Sequence, residues 1–276
     1  MCYLSGFNVL SEKNFEKADV EVLYIAVDCN EMPKDHATET LIEEIWSAAV
    51  REAKKRHVNI FNGNLFRLKN VTAMSGNVLM LELGDTNYKE YVATRSDKFW
   101  NSRRPNCLAN PLATCISIGT SDGKVIIEKR GRVDVYSGQY HVIGGFMNRP
   151  QDLNNGIPDP FKAIAREVKE EVGLTLHSDI IQMVGIVYDR ITPHSEICFC
   201  ADSSLSSKEI RDIFVNSEKD CEVDKLEFID VSENKLAKFI SSQQRLIAVT
   251  GQACLILYGK HRYGTTWFHE VMNALG

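Results

Sequence analysis

Residues 159–174 read DPFKAIAREVKEEVGL, and both ends of a helix are written into them. Asp159 can accept the first free backbone N–H groups, Pro160 suits the first helical position, and Gly173 suits the left-handed residue that closes a helix. At about 100° per residue, Phe161, Ile164, Ala165, Val168 and Val172 gather on one side, which must pack on a sheet. Glu167, Glu170 and Glu171 gather on the opposite side, within roughly 100° of one another. Like charges three and four residues apart repel by about a few tenths of a kcal/mol per pair, so the helix is mildly self-destabilising without a cation. A hard divalent cation supplies what is missing, because Mg²⁺ takes oxygen ligands and commonly uses one or two carboxylates together with substrate phosphates.

Outward from this helix the chain alternates strands and helices. Upstream, ATCISIGT (113–120) and GKVIIEKR (123–130) read as strands joined by the turn residues SDG, a hairpin signal. YHVIGGFMNRPQDLNNGIPDP (140–160), rich in Gly, Pro and Asn, reads as the loop that delivers the chain into the helix. Downstream, IIQMVGIVYDR (180–190), EICFCAD (196–202) and KLEFIDV (225–231) read as strands, SSKEIRDIFVNS (206–217) as a helix, and the tail from Glu233 as mostly helical. This mixture predicts α/β architecture with a mixed sheet.

The first hundred residues have their own pattern. VEVLYIAV (20–27) is a strand candidate, and HATETLIEEIWSAAVREAKKRH (36–57) a helix with Leu41, Ile45, Ala49 and Ala53 recurring once per turn. GNLFRLKNVTAM (63–74) and NVLMLELG (77–84) form a predicted hairpin around SGN. DTNYKEYVATR (85–95) starts a short helix with Asp85 or Thr86 as its cap. The polar stretch SDKFWNSRRPNC (96–107) interrupts all periodicity and marks a junction. We expect a smaller N-terminal α+β domain over 1–104 and a second domain over 105–276.

Composition excludes more than it assigns. A 44% hydrophobic and 25% charged chain is an ordinary globular one. A net charge of -5, with no run of lysines or arginines, argues against nucleic acid polymers as partners. MCYLSGFNVLSEKNFEKADVEV (1–22) has no basic leader or long apolar run, and RLIAVTGQACLILYG (245–259) is too short and interrupted to span a bilayer. The expectation is a soluble cytoplasmic protein with no membrane partner. Eight cysteines lack framework spacing, which predicts reduced thiols. Cys198 and Cys200 share one strand face and could serve a metal, but small core side chains are the expected reading.

The run Arg, Glu, apolar, any, Glu, Glu, any, Gly, apolar arises by chance roughly once in tens of thousands of chains of this size. REVKEEVGL (166–174) resembles the core of the Nudix box, G-x5-E-x7-R-E-U-x-E-E-x-G-U with U aliphatic, and matches its second half at every specified position. The upstream half departs. Gly144 and Gly145 resemble the family's glycine pair, but Ile143 stands where members often have Pro, and the interval from Gly145 to Arg166 is seven residues longer than the pattern's. The upstream acid is best matched by Asp159, which also reads as a helix cap. IFNGNLFRL (60–68), LELGDTNYKEYVATR (81–95) and EEIW (43–46) resemble segments of the animal and plant Nudix hydrolases of UDP-glucose and UDP-galactose.

The resemblance implies a Nudix α/β/α sandwich that hydrolyses the pyrophosphate of a UDP-sugar to UMP and a sugar 1-phosphate, with Mg²⁺, or Mn²⁺ in its place. Glu167 and Glu171 would hold the cation, Glu170 would be a shared ligand, and the Gly145 carbonyl would complete the shell. Arg166 cannot ligate a cation; it would orient a neighbouring glutamate through charge-assisted hydrogen bonds. Glu196 is the preferred general base outside the box, with Glu218 and Glu222 of SEKDCEVD (217–224) as competitors. Tyr88, Tyr91 and Arg95 are candidates to stack on a base or hold a phosphate, and Arg130 to reach one. Two alternatives share the helix: a pyrophosphatase for another nucleoside diphosphate derivative such as ADP-ribose, and a catalytically silent nucleotide-sugar binder.

Overall fold

The computed structural model describes residues 6–24, 31–100, 108–217 and 222–275. In chain order the strands and helices are β1 (Phe7–Ser11), β2 (Val20–Tyr24), α1 (His36–Lys55), β3 (Asn64–Ala73), β4 (Leu79–Asn87), α2 (Tyr88–Thr94), α3 (Asp97–Trp100), β5 (Leu112–Gly119) and β6 (Lys124–Arg130). They continue with β7 (Tyr140–His141), β8 (Ile143–Phe146), β9 (Leu153–Asn154), β10 (Ile157–Pro158), α4 (Pro160–Val172), β11 (Gln182–Asp189), β12 (His194–Asp202), α5 (Ser207–Asn216), β13 (Val223–Asp230), α6 (Glu233–Ser242) and α7 (Val249–Ala274).

An eight-stranded sheet runs in the order β1-β11-β12-β5-β6-β13, with β8 on β5 and β7 on β6. Its β12–β5 pair is parallel and the others are antiparallel, so the sheet is mixed. Every residue of β5 is buried, as expected for a central strand covered on both faces. Alternation along β12 sends Ile197 and Phe199 into the apolar cluster that includes Phe161, Ile164, Val168 and Val172 of α4. Cys198 and Cys200 go to the other face, into a cluster with α6 and α7. The architecture is therefore an α/β/α sandwich.

The N-terminal region contributes β1 to the edge of the large sheet, where it pairs with β11. The rest forms a three-stranded sheet of order β2-β4-β3. Its hairpin turns through Gly76 and Asn77, at φ 75 and 61, the left-handed backbone that these residues tolerate. Phe66, Leu68, Leu79, Leu81 and Leu83 of this sheet belong to the same apolar cluster as α4. Much of the stretch read as a junction, 101–107, lies outside the described residues. Two local expectations are corrected. The cap of α2 is Asn87, whose side chain accepts from Glu90 N, in place of Asp85 or Thr86. Within the stretch read as loop, Tyr140–Phe146 supplies β7 and β8, and Leu153–Pro158 a short two-stranded ribbon.

Candidate active site

The helix α4 begins as its sequence dictates. Asp159 accepts from Phe161 N at 3.0 Å and Lys162 N at 3.1 Å, and pairs with Lys17 Nζ at 2.6 Å. Gly173, at φ 78, closes the other end. Asp159 is thus fully engaged as a cap and makes no bond to Arg166, which corrects its match to the upstream acid of the box. The carboxylate that reaches Arg166 from upstream is Asp152, buried at 0% exposure. It takes Arg166 Nε and Nη2, each at 2.8 Å, the fork geometry in which a guanidinium binds most strongly. Thirteen residues separate Asp152 from Arg166 where the pattern has seven. The six extra match the ribbon residues 153–158, so the insertion bulges out without disturbing the pair.

From this anchor Arg166 reaches Glu170 Oε2 at 2.7 Å and Glu167 Oε1 at 2.9 Å. The glycine pair on β8 faces Glu167 and Glu171. A Cβ at Gly145 would stand 2.6 Å from Glu167 Oε1, and one at Gly144 would stand 2.3 Å from the Thr114 carbonyl on β5. The Gly144 N–H donates to Glu171 Oε2 at 3.2 Å. Glu171 does not lie on the solvent side as expected above; at 100° per residue it stands only about 20° from Ile164, and it is 3% exposed, packed between α4 and β8. Burial pushes its carboxyl well above the ordinary range, with Glu128 and Glu167 adding to the rise. Burial likewise lifts Glu167 to about 8, Arg166 pulling against it while Glu170 and Glu222 reinforce it.

Glu128 was not anticipated. It lies on β6, 1% exposed, and receives Arg130 Nη1 at 3.2 Å through one oxygen. Its other oxygen, Oε2, is buried with no hydrogen-bond partner. Burial raises Glu128 to about 7, against the pull of Arg130 and with the help of Glu222 and Glu196. A buried carboxylate oxygen left unmatched is costly, and a cation beside Glu171 and Glu167 is what would match it. All donors here are hard oxygens, the set suited to Mg²⁺ or Mn²⁺ rather than to a thiophilic metal.

Glu167, Glu170, Glu171, Glu196 and Glu222 line a cavity of ≈ 610 Å³, with Arg130, Arg132 and Arg166 among them. Phe61, 69% exposed, stands among its lining residues. Glu196 is 3% exposed and differs from the other buried acids. Burial alone would raise it, yet His194, His141 and the Thr250 hydroxyl hold it down to about 2. Glu222 also lines the cavity, while Glu218 lies outside the described residues.

The remaining sequence candidates divide. Tyr88 lines the cavity, its hydroxyl donating to Asp134 at 2.8 Å, and Arg130 lines it from β6. Tyr91 is fully buried, edge-on to Phe146 and His194, and Arg95 binds Asp134 and lies 4.8 Å from the Tyr91 ring centre. Both stand behind the wall, supporting Tyr88 and the loop that carries Asp134. Cys198 meets Cys115 at 3.8 Å, and with Cys254 they form a group of buried thiols between sheet and α7. Sequence reasoning missed Glu128, Asp152 and His194. A carboxylate inside the apolar run VIIEKR was a usable signal for the first.

No protein-family model matches the chain, and no curated protein does. Among solved structures it is similar to the NUDIX domain of Shewanella oneidensis NrtR complexed with ADP ribose, at 13% identity and TM-score 0.42 over 60% of this chain and 97% of that one. It is also similar to a MutT protein from Methanosarcina mazei Go1, at 16% identity and TM-score 0.38 over 55% and 94%. A third is the bifunctional NMN adenylyltransferase/ADP ribose pyrophosphatase of Francisella tularensis, complexed with AMP and a Mn ion, at 13% identity and TM-score 0.39 over 59% and 44%. Similarity this low leaves the chemistry to be read from this chain's own residues.

Proposed function

We propose that the chain is a Nudix hydrolase that cleaves the pyrophosphate bond of UDP-sugars, releasing UMP and a sugar 1-phosphate. The observation that carries this reading is that Glu167, Glu170 and Glu171 of α4 line one cavity with Gly145, whose missing Cβ leaves room for Glu167, while Arg166 binds Glu167 and Glu170; burial raises the pKa of Glu167 and Glu171 there. Glu167, Glu171 and Glu170, with the Gly145 carbonyl, would hold Mg²⁺, and Glu128 would add negative field at Glu171. When bound, the cation supplies charge neutralisation for the diphosphate and lowers the pKa of a nearby water.

The protein's own contribution is positioning. Arg166, fixed by Asp152, sets the rotamers of Glu167 and Glu170. Arg130 and Arg132 line the cavity as cations facing an anionic substrate. Tyr88 and Phe61 present aromatic surface to a base or sugar. Glu196, kept ionised, accepts the proton of the water that attacks phosphorus as the bridging P–O bond breaks. A volume of ≈ 610 Å³ lies within the usual range for a bound small molecule of this size. The N-terminal region 1–104 would serve as the substrate-recognition domain.

The test is product analysis of UDP-glucose, UDP-galactose and ADP-ribose incubated with the protein and Mg²⁺, beside Glu171→Gln. UMP and sugar 1-phosphate from the wild type alone supports the reading. Cleavage of ADP-ribose alone keeps the metal helix and removes the substrate class. Binding of UDP-glucose without cleavage would identify a silent sensor.

A further inference from the structure

His194 opens β12 at the cavity wall, 4% exposed, and apart from the Thr192 hydroxyl 3.5 Å from Nδ1, which donates to Asp189 at 3.0 Å, its two ring nitrogens meet acceptor oxygens. Nδ1 lies 2.5 Å from the Thr192 carbonyl oxygen and Nε2 lies 3.3 Å from Glu196 Oε2. A carbonyl oxygen only accepts, so Nδ1 carries a proton. An ionised carboxylate also only accepts, so Nε2 must then carry one as well, and a ring that donates from both nitrogens is an imidazolium. The single alternative moves that proton onto Glu196 and leaves a neutral pair.

The surroundings decide between the two. From α2 and β8, Tyr91 and Phe146 place their rings around the imidazole, with centroids 5.9 and 5.5 Å away, aromatic neighbours of the kind that accommodate a cation. From β11 comes Asp189, fully buried and adding a negative field at His194. Arg95 is the nearby opposing cation, and it sits over Tyr91 while bound to Asp134. On the Glu196 side, the Thr250 hydroxyl from α7 favours the anion, and His141 from β7 does so only while protonated, a state that its burial disfavours. His141 is itself tied to Thr250 Oγ1 at 3.0 Å. Glu128 and Arg130 on β6 act in opposite senses there and are already paired with each other.

We propose that His194 is a fixed imidazolium that holds Glu196 ionised and oriented toward the cavity, acting as the positioning residue for the general base. The base role rests on the hydrolase reading above; the charge state of the pair does not. The arrangement separates Glu196 from the acids of α4 and β6 in a specific way. Arg166 is shared between Glu167 and Glu170 and Arg130 meets one oxygen of Glu128, yet burial still raises the pKa of Glu167 and Glu128, whereas His194 and its neighbours hold that of Glu196 down. It remains a proton acceptor at a pH where the others still hold protons.

Two measurements test this on the full-length protein with Mg²⁺ present. In ¹⁵N-histidine-labelled protein, His194 should show both ring nitrogens protonated at neutral pH and remain so above the ordinary histidine range. Its signals are assigned by their loss in His194→Gln, or by ring-proton contacts with Tyr91 and Phe146 if that variant does not fold. A neutral single tautomer at pH 7 would overturn the proposal whether or not any substrate is cleaved. In kinetics, His194→Gln retains a donor for Glu196 but removes the charge. The acid limb of kcat should then move up by about one to three pH units, with KM little changed. An unmoved acid limb in a folded, active variant would leave His194 a packing residue. Absence of hydrolysis by the wild type would defeat the hydrolase reading and leave the spectrum to decide the imidazolium.

Discussion

The two ends of α4 use carboxylates in opposite ways. At the N-terminus Asp159 is satisfied throughout: two backbone donors and Lys17 surround it, and its charge favours the folded state. At the cavity, Glu167 and Glu171 are buried with too few donors, and burial raises both, and Glu128 on β6, above the ordinary carboxyl range. One end is built for stability alone. The other stores unfavourable electrostatics that a cation would release, the usual mark of a functional site. Between them Arg166 is held by Asp152 and divides its remaining donors among the glutamates.

The largest break in this contrast comes from neutralising the strained end. Glu171→Gln removes a charge that the metal-free protein accommodates poorly, so the metal-free variant should unfold at a temperature equal to or above that of the wild type. Hydrolysis should fall by about 10³-fold or more, if the ligand supplies several kcal/mol of charge stabilisation. Thermal unfolding and turnover measured on the same preparation check both halves. Activity retained at wild-type level would remove Glu171 from the site.

Asp152→Ala attacks the link between the ends. It leaves Arg166 buried without its bidentate partner, a loss of about 3–5 kcal/mol for a broken buried pair. Denaturant unfolding should show this as a lower midpoint with an unchanged slope, and activity should fall with it because Glu167 and Glu170 lose their fixed guanidinium. A stability change below about 1 kcal/mol would show that Arg166 re-pairs with its own helix acids.

The pH dependence of stability sharpens the contrast. Glu167 at about 8 and Glu128 at about 7 hold protons in the native state that an unfolded carboxyl releases near its ordinary value of about 4.3. The native state therefore binds more protons across this interval, and stability of the metal-free protein should fall as pH rises from about 5 to 8. Glu196, held at about 2, contributes stability already complete above its unfolded value and adds no slope there. His194, raised above its ordinary value, contributes stability that is lost as pH rises through its folded pKa, in the same direction as the acids. Added Mg²⁺ should flatten or reverse the slope, since ligation requires the deprotonated carboxylates. Unfolding temperatures across this range, with and without Mg²⁺, measure it, and a metal-free slope that rises with pH would contradict the burial of these acids.

What the sequence made legible follows the same division. The capped end was readable because capping is local: Asp159, Pro160 and Gly173 act within a few residues of themselves. Glu167, Glu170 and Glu171 were readable as a pattern, but grouping all three on the solvent side hid the depth of Glu171, which 100° per residue sets only about 20° from Ile164 and which the Gly144 N–H of β8 meets. Asp152 was hidden by the inserted ribbon, which displaced it in sequence and left Asp159 nearer the expected spacing. Glu128 and His194 were hidden because their surroundings come together only in the fold, Glu171 of α4 for one and Tyr91 of α2 with Phe146 of β8 for the other. The β8 strand itself was read as loop because glycine, which weakens a strand signal, is what the close approach requires.

The smallest expected effect is at the satisfied end, and it tests the division most cleanly. Asp159→Ala removes the acceptor of two backbone N–H groups, a loss of about 0.5–2 kcal/mol in helix capping. It also frees Lys17, whose side chain is 43% exposed, so the ion pair adds little. If the two ends of α4 are separate in function, this variant should lose stability in urea while kcat and KM for the cleaved substrate stay within about twofold of wild type, because Arg166 keeps Asp152. Were kcat to collapse with only a capping-sized loss of stability, Asp159 would be part of the catalytic apparatus, and the assignment of the upstream acid to Asp152 would have to be given up.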